Sequence, residues 1–165
     1  MKVLVVDDDA AIREMVRQIL KFEGLDVDVA SDGASAIEMG RAEKFDLIIS
    51  DVIMRDVDGF EVLRMFREEL QPDADVVLMT GQATLEAALS AMRAGARDYL
   101  VKPFTVQSLI AIVNASREHH RLSVLSATGP AEPVVEYADV IGCSPSMVEV
   151  FKSVGRVANS EPFCA

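Results

Sequence analysis

Apolar residues recur along this chain in two different periods. Val3-Leu4-Val5-Val6 is a continuous apolar run, the pattern of a strand covered on both faces. Ile12, Met15, Val16, Ile19 and Leu20 then recur at helical spacing and make one stripe. Asp9 stands where an N-cap carboxylate would accept from an otherwise unpaired helix N–H, and Gly24 where that helix would end. The unit repeats. Val27 and Val29 mark a second strand, and Asp32-Gly33 starts a helix reaching about residue 43. Leu47-Ile48-Ile49 predicts a buried third strand, followed by a helix over about 59–70. Val76-Val77-Leu78-Met79 is the fourth strand. A helix over 84–94 follows, with Leu85, Ala88, Leu89 and Met92 on one side. Tyr99-Leu100-Val101 is a short fifth strand, and a last helix begins near Thr105 and runs past Leu122.

Five strands alternating with five helices predict an α/β fold, a doubly wound parallel sheet with helices on both faces. Residues 1–122 form this domain. The pattern then breaks: residues 123–140, with Thr128-Gly129-Pro130-Ala131-Glu132-Pro133, read as a linker. Residues 141–165 are partly helical, with Ser144-Pro145 at a helix start, and are too short for a domain of their own.

Charge and composition narrow the function. Half of the 165 residues are hydrophobic and the formal net charge is −11, which argues against a nucleic-acid-binding face. No apolar run approaches the roughly 20 residues that cross a bilayer. Asp7-Asp8-Asp9 interrupts the N-terminal apolar run before a signal peptide could form, so a cytoplasmic location is expected. Cys143 and Cys164 form no CxxC pair.

Sheets of this kind bind ligands at the carboxyl ends of their strands. There the chain places Asp7-Asp8, Ser50-Asp51, Thr80-Gly81 and Lys102-Pro103. Any one of these has an ordinary explanation, an Asp as a turn residue or cap, a Lys as a solvated cation. The ordered set is far more specific. Three carboxylates close together repel unless a cation joins them, and Mg²⁺ accepts oxygen ligands while keeping room for phosphate oxygens. A carboxylate can act as nucleophile and form an acyl phosphate, and a hydroxyl and an ammonium suit the product's oxygens.

Val3-Leu4-Val5-Val6-Asp7-Asp8-Asp9, Asp46-Leu47-Ile48-Ile49-Ser50-Asp51 and Asp98-Tyr99-Leu100-Val101-Lys102-Pro103-Phe104 resemble the motifs of the response-regulator receiver domain of two-component systems, across residues 1–122. The resemblance implies a flavodoxin-like sheet of order 2-1-3-4-5. It implies Asp51 as phospho-acceptor from a sensor histidine kinase. Mg²⁺ would be held by Asp7, Asp8, Asp51 and the backbone carbonyl of Ile53. Lys102 would pair with the phosphoryl group, and its bond to Pro103 would be cis. Thr80 would be the switch hydroxyl, with Gly81 making its loop adaptable, and Tyr99 the aromatic switch. The responding surface would be the fourth helix, fifth strand and fifth helix.

Two positions depart from the family pattern. Arg55 stands where proline is frequent in the loop after the acceptor. Ile53, two residues beyond Asp51, offers no polar group to orient an attacking water, so slow self-dephosphorylation is expected, with Gln82 the nearby candidate to assist.

Thr80-Gly81-Gln82-Ala83-Thr84-Leu85-Glu86-Ala87-Ala88 and Ala91-Met92-Arg93-Ala94-Gly95-Ala96 resemble receivers of the nitrogen-regulator class. Val140-Ile141-Gly142-Cys143-Ser144-Pro145-Ser146-Met147 resembles the start of a sigma-54-activating AAA+ domain, here truncated. No GxxxxGK[ST] loop occurs, so the chain is not expected to act as an ATPase or other enzyme beyond promoting its own phosphorylation and dephosphorylation. In that class the last helix commonly continues into a dimerising linker. Leu109, Ile110, Ile112 and Val113, with Leu122 and Leu125 beyond, suggest a homodimer through that helix or through the fourth-helix to fifth-helix face.

Three competing readings are weaker. A haloacid-dehalogenase-like phosphatase needs a carboxylate where Ile53 stands. A nucleotide-binding flavodoxin-like module needs a first loop that Asp7-Asp8-Asp9 does not provide. A docking domain that is never phosphorylated fits poorly with the complete acidic, Thr and Lys set.

Overall fold

The computed structural model describes residues 1–128, with side chains through residue 123. Most of the expected linker, the segment over 141–165, both cysteines and the side chain of Leu125 lie outside the described residues. The elements are β1 (Lys2–Val6), α1 (Ala10–Phe22), β2 (Asp26–Ala30), α2 (Gly33–Ala42), β3 (Leu47–Asp51), α3 (Gly59–Met65), β4 (Asp75–Thr80), α4 (Leu85–Arg93), β5 (Asp98–Val101) and α5 (Val106–Thr128). The helix α5 therefore takes in residues 123–128 of the expected linker.

All five strands are parallel, in the order β2-β1-β3-β4-β5. Successive side chains of a strand point to opposite faces, and both faces are covered, so alternate residues feed two cores. Leu4, Val6, Ile48, Val76 and Leu78 meet Val62, Leu63 and Phe66 from the α3 side and Ala88 and Ala91 from α4. Val3, Val5, Leu47, Ile49, Val77 and Met79 meet Val16 and Leu20 of α1 and Leu109, Ile112 and Val113 of α5. Each Val, Leu, Ile, Phe or Met side chain among them contributes roughly 1.5–3 kcal/mol on leaving water. Three of the residues whose apolar character suggested a dimer contact, Leu109, Ile112 and Val113, are thus core residues, and Leu122 remains exposed.

Helix starts follow the expected chemistry. Asp9 accepts from the N–H groups of Ala11 and Ile12 at 2.7 and 3.4 Å. Asp32 caps α2 through Ser35, Asp58 caps α3 through Glu61, and Thr84 caps α4 through Ala87. Each cap supplies an acceptor to a donor that the helix itself leaves unpaired.

The helix expected over 59–70 contains a feature that periodicity does not show. Its last turn, Phe66–Leu70, widens to a π turn, closed by the Gln71 N–H on the Phe66 carbonyl at 2.8 Å. The wide turn brings Gln71 round to the end of α2. There its amide nitrogen donates to the Gly40 and Glu43 carbonyls at 2.7 and 2.6 Å, and its oxygen accepts from Phe45 N–H at 2.7 Å. One side chain thereby satisfies three backbone groups where α2 turns into β3. Gln71→Ala should cost about 1–3 kcal/mol in urea unfolding, because those groups lose their partner inside the fold. A loss under about 0.5 kcal/mol, the size of an ordinary surface change, would show that water replaces the amide.

Candidate functional site

The carboxyl rim of the sheet gathers the charged residues that the strand ends carry. One residue past β1, Asp7 is fully buried, and its N–H extends the β1–β2 pairing by bonding the Ala30 carbonyl at 3.3 Å. Both oxygens of its carboxylate have partners. Oδ1 accepts from Asp9 N–H at 2.9 Å and Oδ2 from Lys102 Nζ at 2.6 Å. The Asp7 carbonyl accepts from Arg13 Nη1 at 2.5 Å, which ties α1 to the same corner. Asp8 points to solvent, and Asp51, at the end of β3, is 8% exposed. Lys102 Nζ also lies 2.9 Å from Asp51 Oδ2. The ammonium therefore bridges two carboxylates from separate strands.

Asp51 is held from behind. The Val52 N–H bonds the Met79 carbonyl at 2.7 Å and the Gly59 N–H bonds the Val52 carbonyl at 3.1 Å. A Cβ on Gly59 would stand 2.2 Å from the Asp51 carbonyl oxygen, so only glycine lets α3 start this close to the end of β3. Between them Arg55, Asp56 and Val57 form a tight turn: Val57 N–H bonds the Arg55 carbonyl at 2.8 Å, and Asp56 takes a left-handed φ of 64°. Aspartate is among the few residues other than glycine that visit that region. Ile53 lies in the same loop, its residue 62% exposed.

A second cluster adjoins through the backbone, where Lys102 N–H bonds the Thr80 carbonyl at 2.7 Å. Thr80 is buried, and its hydroxyl accepts from Gln82 N–H at 3.2 Å. Tyr99 is buried beneath α4, and its hydroxyl donates to the Gln82 carbonyl. Thr80 and Tyr99 thus hold the same loop residue by its two backbone groups. Gly81 is open to solvent, with nothing within 4 Å of where a Cβ would stand, so sterics do not require glycine there. The Lys102–Pro103 peptide is cis.

Burial and charge pull against one another here. Burial pushes the Asp7 carboxyl above the ordinary aspartate value, and the bonds from Lys102 and Asp9 reduce the rise without cancelling it. Burial also disfavours the Lys102 ammonium, but the bonds to Asp7 and Asp51 outweigh it and hold the group above the usual lysine value. Burial raises the Tyr99 hydroxyl, opposed by its bond with Thr80. The carboxylate oxygens of Asp7, Asp8 and Asp51 lie within 4.8 Å of one another. An oxygen-only set of this charge, with Asp8 open to solvent, fits a hard divalent cation that keeps some of its waters.

The structure brings Asp7, Asp8, Asp51 and Lys102 together, with Thr80, Gly81, Gln82 and Tyr99 alongside and Ile53 on the neighbouring loop. Gly59 and Arg13 were not among the residues singled out from the sequence. Asp58-Gly59, an N-cap followed by glycine, was the available signal for the first; Arg13 carried none.

With that geometry in place, comparison with known proteins is informative. Residues 3–114 match the family described as response regulator receiver domain. The DNA-binding transcriptional regulator NtrC of Proteus hauseri is 32% identical over 159 residues, covering 96% of this chain and 33% of NtrC. Response regulator MprA of Mycobacterium leprae is 38% identical over 115 residues, covering 70% of this chain and 50% of MprA. The chain spans about a third of the NtrC relatives' length and half of MprA. A receiver domain crystal structure from Clostridium thermocellum superposes with a TM-score of 0.67 at 31% identity, covering 74% of this chain and 98% of that one.

The raised Asp7 carboxyl has a consequence for stability. The folded state binds that proton more tightly than the unfolded chain does. In metal-free buffer, stability attributable to Asp7 is therefore lost as pH rises from the ordinary aspartate value through the raised one. Asp7→Asn should remove that loss, so its advantage over the parent chain in urea midpoint should grow with pH across this interval. A constant difference at all pH values would show that Asp7 is not strained by burial.

Proposed function

This chain belongs to the response regulator receiver domain family, and on that footing we propose that Asp51 accepts a phosphoryl group from a sensor histidine kinase. The observation that carries the proposal is the Lys102 ammonium, held 2.6 Å from Asp7 and 2.9 Å from Asp51. It fixes the acceptor carboxylate and places a positive charge where the transferred group's oxygens would arrive.

Asp7, Asp8 and Asp51, with the Ile53 carbonyl, would hold Mg²⁺, which supplies neutralising charge for the phosphoryl oxygens. An Asp51 oxygen attacks phosphorus in line, the bond to the donor breaks, and the donor leaves with its electron pair. Lys102 then exchanges its bond to Asp51 for one to a phosphoryl oxygen. Asp7, buried and bonded at both oxygens, stays in place as the positioning group.

Phosphorylation adds charge and strong acceptors beside Thr80. Its hydroxyl now accepts from Gln82 N–H. Turning to donate to a phosphoryl oxygen would release that N–H and shift the loop whose carbonyl Tyr99 holds. The α4–β5–α5 surface is the proposed readout. We place the chain in a regulator of the nitrogen-regulator class, with the phosphorylated surface controlling a sigma-54-dependent activator and a homodimer through that face or through α5. DNA contact would then belong to other parts of such a regulator. The site operates in the cytoplasm, where a kinase and Mg²⁺ are available. A docking role without phosphorylation is the second reading, and the test separates the two.

Acetyl phosphate and Mg²⁺ should give a single phosphate adduct by intact mass, absent with EDTA and absent in Asp51→Asn. No adduct under any condition favours the docking role. The exposed Ile53 side chain offers nothing to align water, so the adduct should persist for many minutes. A half-life of seconds would reject that role for Ile53.

A further inference from the structure

The sheet's opposite edge carries a second cluster that the phosphoryl chemistry does not use. Leu109, Ile112 and Val113 set the inward stripe of α5, buried against the sheet. The same stripe continues one and two turns on as Ser116, His119 and His120, at helical spacing from the core residues. These are the chain's two histidines, and both face Asp75, the first residue of β4.

Asp75 is a buried carboxylate. Ser116 Oγ donates to its Oδ2 at 2.6 Å. His119 Nδ1 lies 3.1 Å from Oδ1 and 3.3 Å from Oδ2, and His120 Nε2 lies 3.8 Å from Oδ2. His120 Nε2 is also 2.9 Å from the Asp46 carbonyl, and Arg97 Nε is 4.0 Å from Oδ2. The three ligand-type atoms lie within 4.8 Å of one another. The His119 and His120 side chains are 43% and 26% exposed, so the cluster opens to solvent on one side.

We propose that Asp75, His119 and His120 form a second cation site that takes a transition-metal ion of the Zn²⁺ type. Tetrahedral ligands about 2.0–2.1 Å from such an ion stand roughly 3.3 Å apart. Measured to the single oxygen Oδ2, the His119 and His120 nitrogens stand 3.3 and 3.8 Å away, at and somewhat above that value. Two imidazoles and one carboxylate with an open fourth position suit Zn²⁺, and Mg²⁺ prefers an all-oxygen set. Ser116 is the positioning residue: its hydroxyl donates to Oδ2 and holds the carboxylate turned toward the imidazoles. On binding, His120 Nε2 exchanges the Asp46 carbonyl for the ion and His119 Nδ1 exchanges its hydrogen bond to Asp75 for the ion, each neutral ring's proton moving to its other nitrogen. Arg97, exposed, turns to solvent. The ion would fasten the middle of α5 to the amino end of β4, roughly 17 Å along the strand from the rim where Thr80 stands. None of these residues belongs to the phosphoryl site, so the two proposals stand or fall separately.

Calorimetric titration of the untagged full chain with Zn²⁺, in millimolar Mg²⁺, tests the site. One Zn²⁺ per chain should bind. Affinity should be unchanged in Asp51→Asn and in the Cys143→Ser, Cys164→Ser double variant, weaken about tenfold in Ser116→Ala, and fall further in His119→Ala and in His120→Ala. No binding, loss of binding in the cysteine variant, or undiminished binding in both histidine variants would overturn the proposal. If a histidine variant unfolds, the parent chain decides by NMR. With two histidines, both imidazole resonances must shift on adding Zn²⁺, and unmoved rings would overturn it.

Discussion

Asp7 and Asp51 sit buried at the end of an apolar sheet, and burial disfavours the charge of Asp7. The Lys102 ammonium lies between them, reaching both at hydrogen-bond distance from a third strand. It joins the ends of β1 and β3 to the residue after β5, while the Lys102 N–H reaches back to the β4 carbonyl at Thr80. The rim therefore acts as one electrostatic unit. Attraction to a cation makes up for part of the lost hydration, and what remains shows as the raised Asp7 carboxyl. A site under such tension favours an incoming cation, the property that the proposed phosphoryl transfer would use.

Asp51 is fixed as much by steric fit as by charge. The start of α3 approaches the Asp51 carbonyl more closely than any side chain would permit. The left-handed Asp56 turn folds the intervening loop over the N-terminus of α2, where a Cβ on Gly33 would stand 2.6 Å from the Val57 carbonyl oxygen. Two glycines on two helices thus define the shape of one loop. By contrast, the loop after β4 is held by hydrogen bonds at Gln82, whose N–H donates to the Thr80 hydroxyl and whose carbonyl accepts from the Tyr99 hydroxyl. Packing fixes the loop after Asp51 and hydrogen bonds hold the loop after β4. Hydrogen bonds can be exchanged for others without opening a void, which suits the second loop to a change of state.

The strand β4 connects two chemically different ends. Its carboxyl end, at Thr80, meets an all-oxygen cluster with one ammonium. Its amino end, at Asp75, meets two imidazoles and a hydroxyl from α5. The same helix stripe supplies core at Leu109, Ile112 and Val113 and polar contacts at Ser116, His119 and His120. The docking of α5 is thereby hydrophobic in its first turns and polar further along, so changes at the amino end of β4 act on the part of the helix beyond the core.

The sequence by itself determined the α/β architecture, because short apolar runs and helical stripes differ in period and alternate five times. It also determined that Asp7, Asp8, Asp51, Thr80 and Lys102 share one rim, because in a parallel sheet every strand ends on the same side. The cap at Asp9 was legible for the same local reason, since that carboxylate acts within three residues of itself. Tertiary structure alone decided the rest. The chain does not reveal that Gly59 meets Asp51, that Gln71 closes the junction of α2 and β3, or that His119 and His120 converge on Asp75. These contacts join residues 8, 26–31 and about 44 positions apart, and no period encodes them. Nor could patterning tell which apolar residues of α5 face the sheet and which face solvent. A helix apolar nearly all round has no preferred side until the strands it packs on are in place.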